Sequence, residues 1–73
     1  MPVLNPNDLT GHGLPGLVCQ EIAAQVTAGT ANPAKLAAAG VTPIAAQRAA
    51  ARIQGGETNA KNLANSITKH RAN

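Results

Sequence analysis

The sequence predicts a single small all-α domain, and three observations lead to that prediction. Residues 13–39 align with residues 40–66, so a segment of about 27 residues occurs twice. Alanine, the strongest helix former, supplies 16 of the 73 residues, and Phe, Tyr and Trp are absent. Only 14 Leu, Ile and Val side chains remain to build a core, so we expect short helices that are stable only when packed together.

The aligned residues predict two repeated helical hairpins. Residues that begin or end helices recur at matching positions of the two copies, namely Gly13 and Gly40, Gly29 and Gly56, and Asn32 and Asn59. A repeat of such residues indicates a repeated supersecondary unit. We therefore expect one helical domain of four helices within residues 14–73, preceded by an arm over residues 1–13 that has no copy.

The arm is the first element along the chain. Pro, Asn and Gly dominate residues 1–13, and these residue types favour turns over helix. We expect this segment to be extended and to dock onto a partner protein through its apolar side chains Val3, Leu4 and Leu9.

The first helix is predicted over residues 15–28. Its apolar face recurs every four residues, at Leu14, Val18, Ile22 and Val26. Leu17 is expected to widen that face, and Gly29 to end the helix in a left-handed conformation.

Three shorter helices are predicted after it, over residues 33–39, 43–54 and about 59–70. Each follows a residue that caps helix N-termini well, which is Asn32, Thr42 or, for the last helix, either Thr58 or Asn59. Proline occupies the first helical position of the first two, where no backbone N–H is needed.

The chemistry-bearing residues are too few to predict an enzyme. The chain has one Cys, two His and three carboxylates, and no spacing among them is typical of a catalytic or metal site. Cys19 is expected to be a small buried apolar residue. We expect no cofactor, no metal ligand, no transmembrane helix and no secretion by a signal peptide, with a virion or cytoplasmic location.

Two turns resemble the hairpin of helix-hairpin-helix DNA-binding modules, whose pattern is roughly Leu-x-Gly-aliphatic-Gly. Residues 9–15 read LTGHGLP, and residues 36–43 read LAAAGVTP, with Ala46 where such modules often place alanine. In that family the hairpin exposes backbone N–H groups at a helix N-terminus, and these bind a DNA phosphate without reading bases. The resemblance implies an anion-binding role for Gly11, Gly13, Gly40 and Thr42.

The chain departs from that family at three points. His12 replaces the aliphatic residue of the first turn, and Thr42 replaces the second glycine of the second turn. The leading helix of the first module would have to come from the arm, which is predicted to be extended. The alternative interpretation is that the same residues are ordinary helix ends and caps.

Positive charge is concentrated in the second half of the chain. The net charge is +3, made up of −1 over residues 1–36 and +4 over residues 37–73. We expect the basic residues of that half to contact phosphates if the chain binds DNA, and otherwise to form the solvated sides of helices; they are Arg48, Arg52, Lys61, Lys69 and Arg71. The absence of aromatic residues counts against single-stranded ligands.

These observations favour a non-enzymatic accessory subunit that docks onto a larger protein assembly. The small size, the alanine-rich composition and the lack of catalytic residues suit a virion component of a bacteriophage, docked onto capsid, portal or tail proteins. The alternative function is non-specific binding of double-stranded DNA through the helix-hairpin-helix-like turns and the basic half of the chain. The sequence leaves self-association open.

Overall fold

The computed structural model of the chain describes residues 4–70. Over that range the protein is all-helical and contains no strand, which confirms the all-α prediction. Five helices follow one another, and they are α1 (Asn7–Thr10), α2 (Gly16–Ala28), α3 (Pro33–Ala39), α4 (Pro43–Gln54) and α5 (Ala60–Thr68). Helices α2 to α4 begin and end within one residue of their predicted bounds, and α5 ends two residues early.

Helix α1 is the element that the sequence analysis missed. Residues 7–10 form one helical turn, so the extended conformation predicted for the arm is wrong over this stretch. The Asn5 side-chain Oδ1 accepts a hydrogen bond of 3.0 Å from the Asn7 N–H, and the Leu9 N–H donates to the Pro6 carbonyl at 3.0 Å. A single turn is unstable alone, and the burial of Leu9 holds it against the rest of the protein.

Asparagine residues 27 positions apart stand at the beginnings of three helices. Asn32 and Asn59 are the N-caps of α3 and α5, and each side-chain Oδ1 accepts a 3.2 Å hydrogen bond from the N–H three residues on. Asn5, which lies 27 residues before Asn32, precedes α1. In each case the side chain satisfies a backbone donor that has no partner inside the helix.

A leucine inside each of these three helices is completely buried. Leu9, Leu36 and Leu63 are each 0% exposed, and they are again 27 residues apart. They share one core with Val18 and Ile22 of α2. Because fully burying a leucine contributes about 1.5 to 3 kcal/mol, these side chains supply much of what holds α1, α3 and α5 in place.

Consecutive helices pack on one another, and the first helix also meets the last. Helix α2 packs on α3, α3 on α4 and α4 on α5, while α1 contacts both α2 and α5. Alanine makes the α4 interface close, because Ala45, Ala46, Ala49 and Ala50 are all buried. Helix α1 is therefore part of the core of the domain and closes it on the side of α5.

Candidate nucleic-acid interface

The turn before α2 and the turn before α4 lie side by side. Both contribute to one cleft of about 390 Å³. Its lining comes from the two turns, the first part of α4 and the end of α5, and consists of Gly13, Leu14, Pro15, Gly40, Val41, Thr42, Ala45 and Ile67. The fold therefore brings together three of the four turn residues that the sequence analysis singled out, which are Gly13, Gly40 and Thr42. The fourth, Gly11, is exposed in the first turn.

Glycine is required at the turn positions of this cleft by the backbone conformation. Gly13 has φ 82° and Gly40 has φ 126°, both in the region that residues with a Cβ rarely adopt. The second turn also lies against α2, since a Cβ on Gly40 would meet the Val18 Cγ2 at 3.9 Å. The glycines thus shape the turns and let them approach the helices behind them.

The two turns present backbone N–H groups in different ways. Helix α2 begins after Pro15 and has no side-chain cap, so its first-turn N–H groups receive no side-chain acceptor. Helix α4 is capped by Thr42, whose Oγ1 accepts from the Ala45 N–H at 3.1 Å. That hydroxyl also donates to the His70 carbonyl at 2.9 Å. The Thr42 side chain is therefore engaged within the protein, and only its backbone remains as an anion-binding group.

The hydrogen bond from Thr42 places the end of α5 at the turns. His70 is tied to the second turn, and Lys69 is the C-cap residue of α5 immediately before it. Ile67, one turn earlier, lines the cleft. Lys69 is exposed, as is His12 in the first turn, so the described acidic residues leave this end of the protein with a net basic character.

The other predicted basic residues do not all reach this end. Helices α4 and α5 are antiparallel neighbours joined by a short loop, so Arg52 and Lys61 lie at the far ends of the two helices from the turns. Arg48 lies between, about 9 Å along α4 from Thr42 at 1.5 Å per residue. All three side chains are exposed. Arg71 lies outside the described residues.

The predicted docking residues of the arm lie in the protein's own core. Leu4 is 6% exposed and Leu9 is 0% exposed, so neither side chain is available to a partner in this conformation. The physical reason is the shortage of large aliphatic residues, which makes burial within the chain favourable for each of them. Val3 lies outside the described residues.

A second surface consists of helix faces that the sequence analysis assigned wrongly. Leu17 was expected to widen the buried face of α2, but it is 68% exposed, and Ile44 of α4 is 60% exposed. The two residues are 27 positions apart and each is the second residue of its helix. Their matched spacing was visible in the sequence, whereas their exposure depends on how the helices cross.

Cys19 behaves as predicted in one respect, because its side chain is completely buried. Its thiol donates to the Leu14 carbonyl at 3.7 Å. Burial raises the pKa of the Cys19 thiol above its ordinary value, which the hydrogen bond only partly opposes. Such a thiol is a poor nucleophile near neutral pH. Within residues 4–70, no three His, Cys, Asp or Glu residues are grouped so as to hold a metal ion.

Comparison with protein-family models, with curated proteins and with solved structures finds no match to this chain. Among the described helices, none combines the length and the apolar character needed to cross a membrane. The argument for function therefore depends on the geometry of the turns and on the exposed helix faces.

Proposed function

We propose that the protein binds the phosphate backbone of double-stranded DNA without sequence specificity. The observation that carries this proposal is the single cleft shared by the turn before α2 and the turn before α4. Two such turns side by side present two sets of helix N-terminal N–H groups to one ligand. Helix dipoles add positive potential at the same place.

The proposal includes a repeated arrangement, in which α1–α2 and α3–α4 are two copies of one helix–turn–helix hairpin. In support, α1 supplies the leading helix that the sequence analysis did not expect. Leu9 and Leu36 occupy matching positions before the two turns, and both are fully buried. Each hairpin then ends in a turn that opens α2 or α4, as in the family that residues 9–15 and 36–43 resemble.

Lys69 is the basic side chain best placed to assist the turns. It follows α5 at the end that the Thr42 hydroxyl contacts. A flexible ammonium group there would contact a phosphate next to those bound by the turn amides. Arg48 would extend the contact along α4, whereas Arg52 and Lys61 would contribute only through the general field of the protein.

Fluorescence anisotropy with a labelled 20-base-pair duplex tests the proposal. We expect binding at low salt that is independent of sequence, with log K falling against log salt at a slope of about −2 to −4, as for about two to four phosphate contacts. A single strand of the same sequence should bind more weakly. Absence of duplex binding at about 20 mM salt would overturn the proposal, since electrostatic binding is strongest there.

Two variants of α5 provide a matched comparison. Lys69→Glu and Lys61→Glu make the same change in net charge on exposed side chains at opposite ends of the helix. Binding through the turns predicts that Lys69→Glu weakens the affinity about tenfold or more, and Lys61→Glu much less. Equal losses would point to a diffuse electrostatic attraction and would count against the turns as the site.

The second candidate function is that of a non-enzymatic accessory subunit of a larger assembly, such as a bacteriophage virion. The exposed Leu17 and Ile44 favour it, because large aliphatic residues exposed at matching positions are typical of an interaction surface. This surface replaces the arm as the proposed docking site, since Leu4 and Leu9 are buried.

Mass spectrometry of particles produced by the source of this chain tests the second candidate. We expect the wild-type chain in the particles, and loss of incorporation when Leu17 and Ile44 are both changed to Glu. Both side chains are exposed, so the variant should keep its helical circular dichroism signal. Absence of the wild-type chain from the particles would exclude the virion role.

A further inference from the structure

Helices α2 and α4 expose faces that are nearly the same in sequence. On α2 the face consists of Leu17, Gln20, Glu21 and Ala24, and on α4 of Ile44, Gln47, Arg48 and Ala51. Spacings of three and four residues place each set on one side of its helix. Position by position, 27 residues apart, the two faces agree in character except that Glu21 is matched by Arg48.

The surroundings of the two faces differ. The α2 face borders a groove of about 590 Å³ against α3, lined by Leu17, Gln20, Glu21, Ala24, Lys35, Ala38 and Ala39. The residues 27 positions after the last three are Asn62, Asn65 and Ser66 of α5. The wall beside α2 is therefore lined by alanine, and the corresponding positions beside α4 are polar. An apolar side chain gains more by entering the groove beside α2.

We propose that the α4 face of a second copy of this chain occupies the groove between α2 and α3. Ile44 of the second copy would be buried beside Leu17, and Arg48 would pair with Glu21. Pairing α2 with α2 would bring two carboxylates to the interface, and pairing α4 with α4 would bring two guanidinium groups. Only the mixed arrangement places opposite charges together, and complementary charge of this kind selects between partners.

The groups that surround Glu21 are compatible with this arrangement. The Gln25 side chain donates to the Glu21 Oε2 at 2.9 Å, which leaves the second carboxylate oxygen for a guanidinium. Lys35 is the like-charged residue of the groove and lies on the α3 wall, where its exposed side chain can turn to solvent. Arg48 would therefore approach from the α2 side.

An interface between two different faces of one chain leads to head-to-tail assembly. Each copy carries one α2 groove and one α4 face, so a bound copy keeps one free surface of the other kind and can bind a further copy. One helix face in one groove makes a small interface, and such interfaces are usually weak. Assembly should therefore depend strongly on protein concentration.

Sedimentation velocity of the purified full chain without nucleic acid tests this inference, from about 10 μM to about 1 mM, a range suited to small interfaces. We expect species larger than a dimer to grow with concentration. Leu17→Lys and Ile44→Lys each remove one of the two surfaces and should each be monomeric. Mixed together, they should form a 1:1 dimer that does not grow, because only one intact pair of surfaces remains.

A charge exchange tests the proposed pairing itself. Glu21→Arg and Arg48→Glu should each weaken self-association about tenfold or more, and the double variant should recover most of the loss. Lys61→Glu serves as a control at an exposed position away from both faces. Circular dichroism of every variant checks that the helices are retained.

Three results would overturn the inference. The first is a wild-type chain that remains monomeric over the whole range. The second is a Leu17→Lys or Ile44→Lys variant that still forms dimers alone, which would indicate α4–α4 or α2–α2 pairing. The third is a mixture of the two that stays monomeric. The inference names one partner for the faces of the second proposed function, and a monomeric chain whose Leu17 and Ile44 variant still fails to enter particles would refute this inference alone.

Discussion

The regions α1–α2 and α3–α4 share the residues that shape the backbone and differ in those that face solvent. Both contain a fully buried leucine in the leading helix and a glycine of positive φ in the turn. They differ in the cap of the following helix, which is Thr42 for α4 and absent for α2. They also differ in charge, with Glu21 matched by Arg48. The shared residues are explained by folding, so the differing residues are where separate binding roles should be sought.

The largest expected effect concerns the leading helices. Leu9→Ala and Leu36→Ala each remove a completely buried leucine, and each should lower the free energy of unfolding by about 2 to 5 kcal/mol. Urea denaturation followed by circular dichroism measures the loss, with Leu17→Ala as the exposed control. If Leu9→Ala had no effect, α1 would be a separate arm and the comparison between the two regions would fail.

An intermediate effect is expected where α2 is joined to α3. The Gln25 side chain is 5% exposed and bonds both to the Asn32 carbonyl, at 3.0 Å, and to the Asn32 N–H, at 2.9 Å. Gln25→Ala leaves both backbone groups without these partners and should cost about 1 to 3 kcal/mol. The matching residue of the second region is Arg52, which is exposed, and Arg52→Ala should change stability by less than about 0.5 kcal/mol. Thermal denaturation of the two variants side by side would reveal whether they differ.

The smallest effect is expected at the cap of α4. Thr42→Ala removes the acceptor for the Ala45 N–H and the hydroxyl bonded to His70, and should cost about 1 kcal/mol. Thr42→Ser keeps the hydroxyl and should recover most of the loss. A Thr42→Ser variant as unstable as Thr42→Ala would mean that the methyl group, and not the cap, is responsible.

Local signals in the sequence were sufficient for the helices that have strong caps and for their ends. Asn32 and Thr42 cap α3 and α4 as predicted, and Gly29 ends α2 with φ 75°. These features depend on a few neighbouring residues, so they can be read without knowledge of the tertiary structure.

Features that depend on tertiary packing were missed or assigned wrongly. Helix α1 lacks the apolar period of a longer helix and is held by the burial of Leu9, so local signals could not predict it. The Asn5 and Leu9 spacing to Asn32 and Leu36 was the available clue. The exposure of Leu17 depends on the crossing of α2 with α3, which the sequence does not specify. The adjacency of the two turns has the same origin.

The central claim is that the two turns and the end of α5 bind DNA together, and a site-resolved titration tests it most directly. Amide signals of the ¹⁵N-labelled protein are followed by NMR as an unlabelled 20-base-pair duplex is added at low salt. We predict the largest shifts at residues 11–14, 40–42 and 69–70, with little change at residues 52–61. Shifts confined to residues 52–61, or no shifts at all, would contradict the claim.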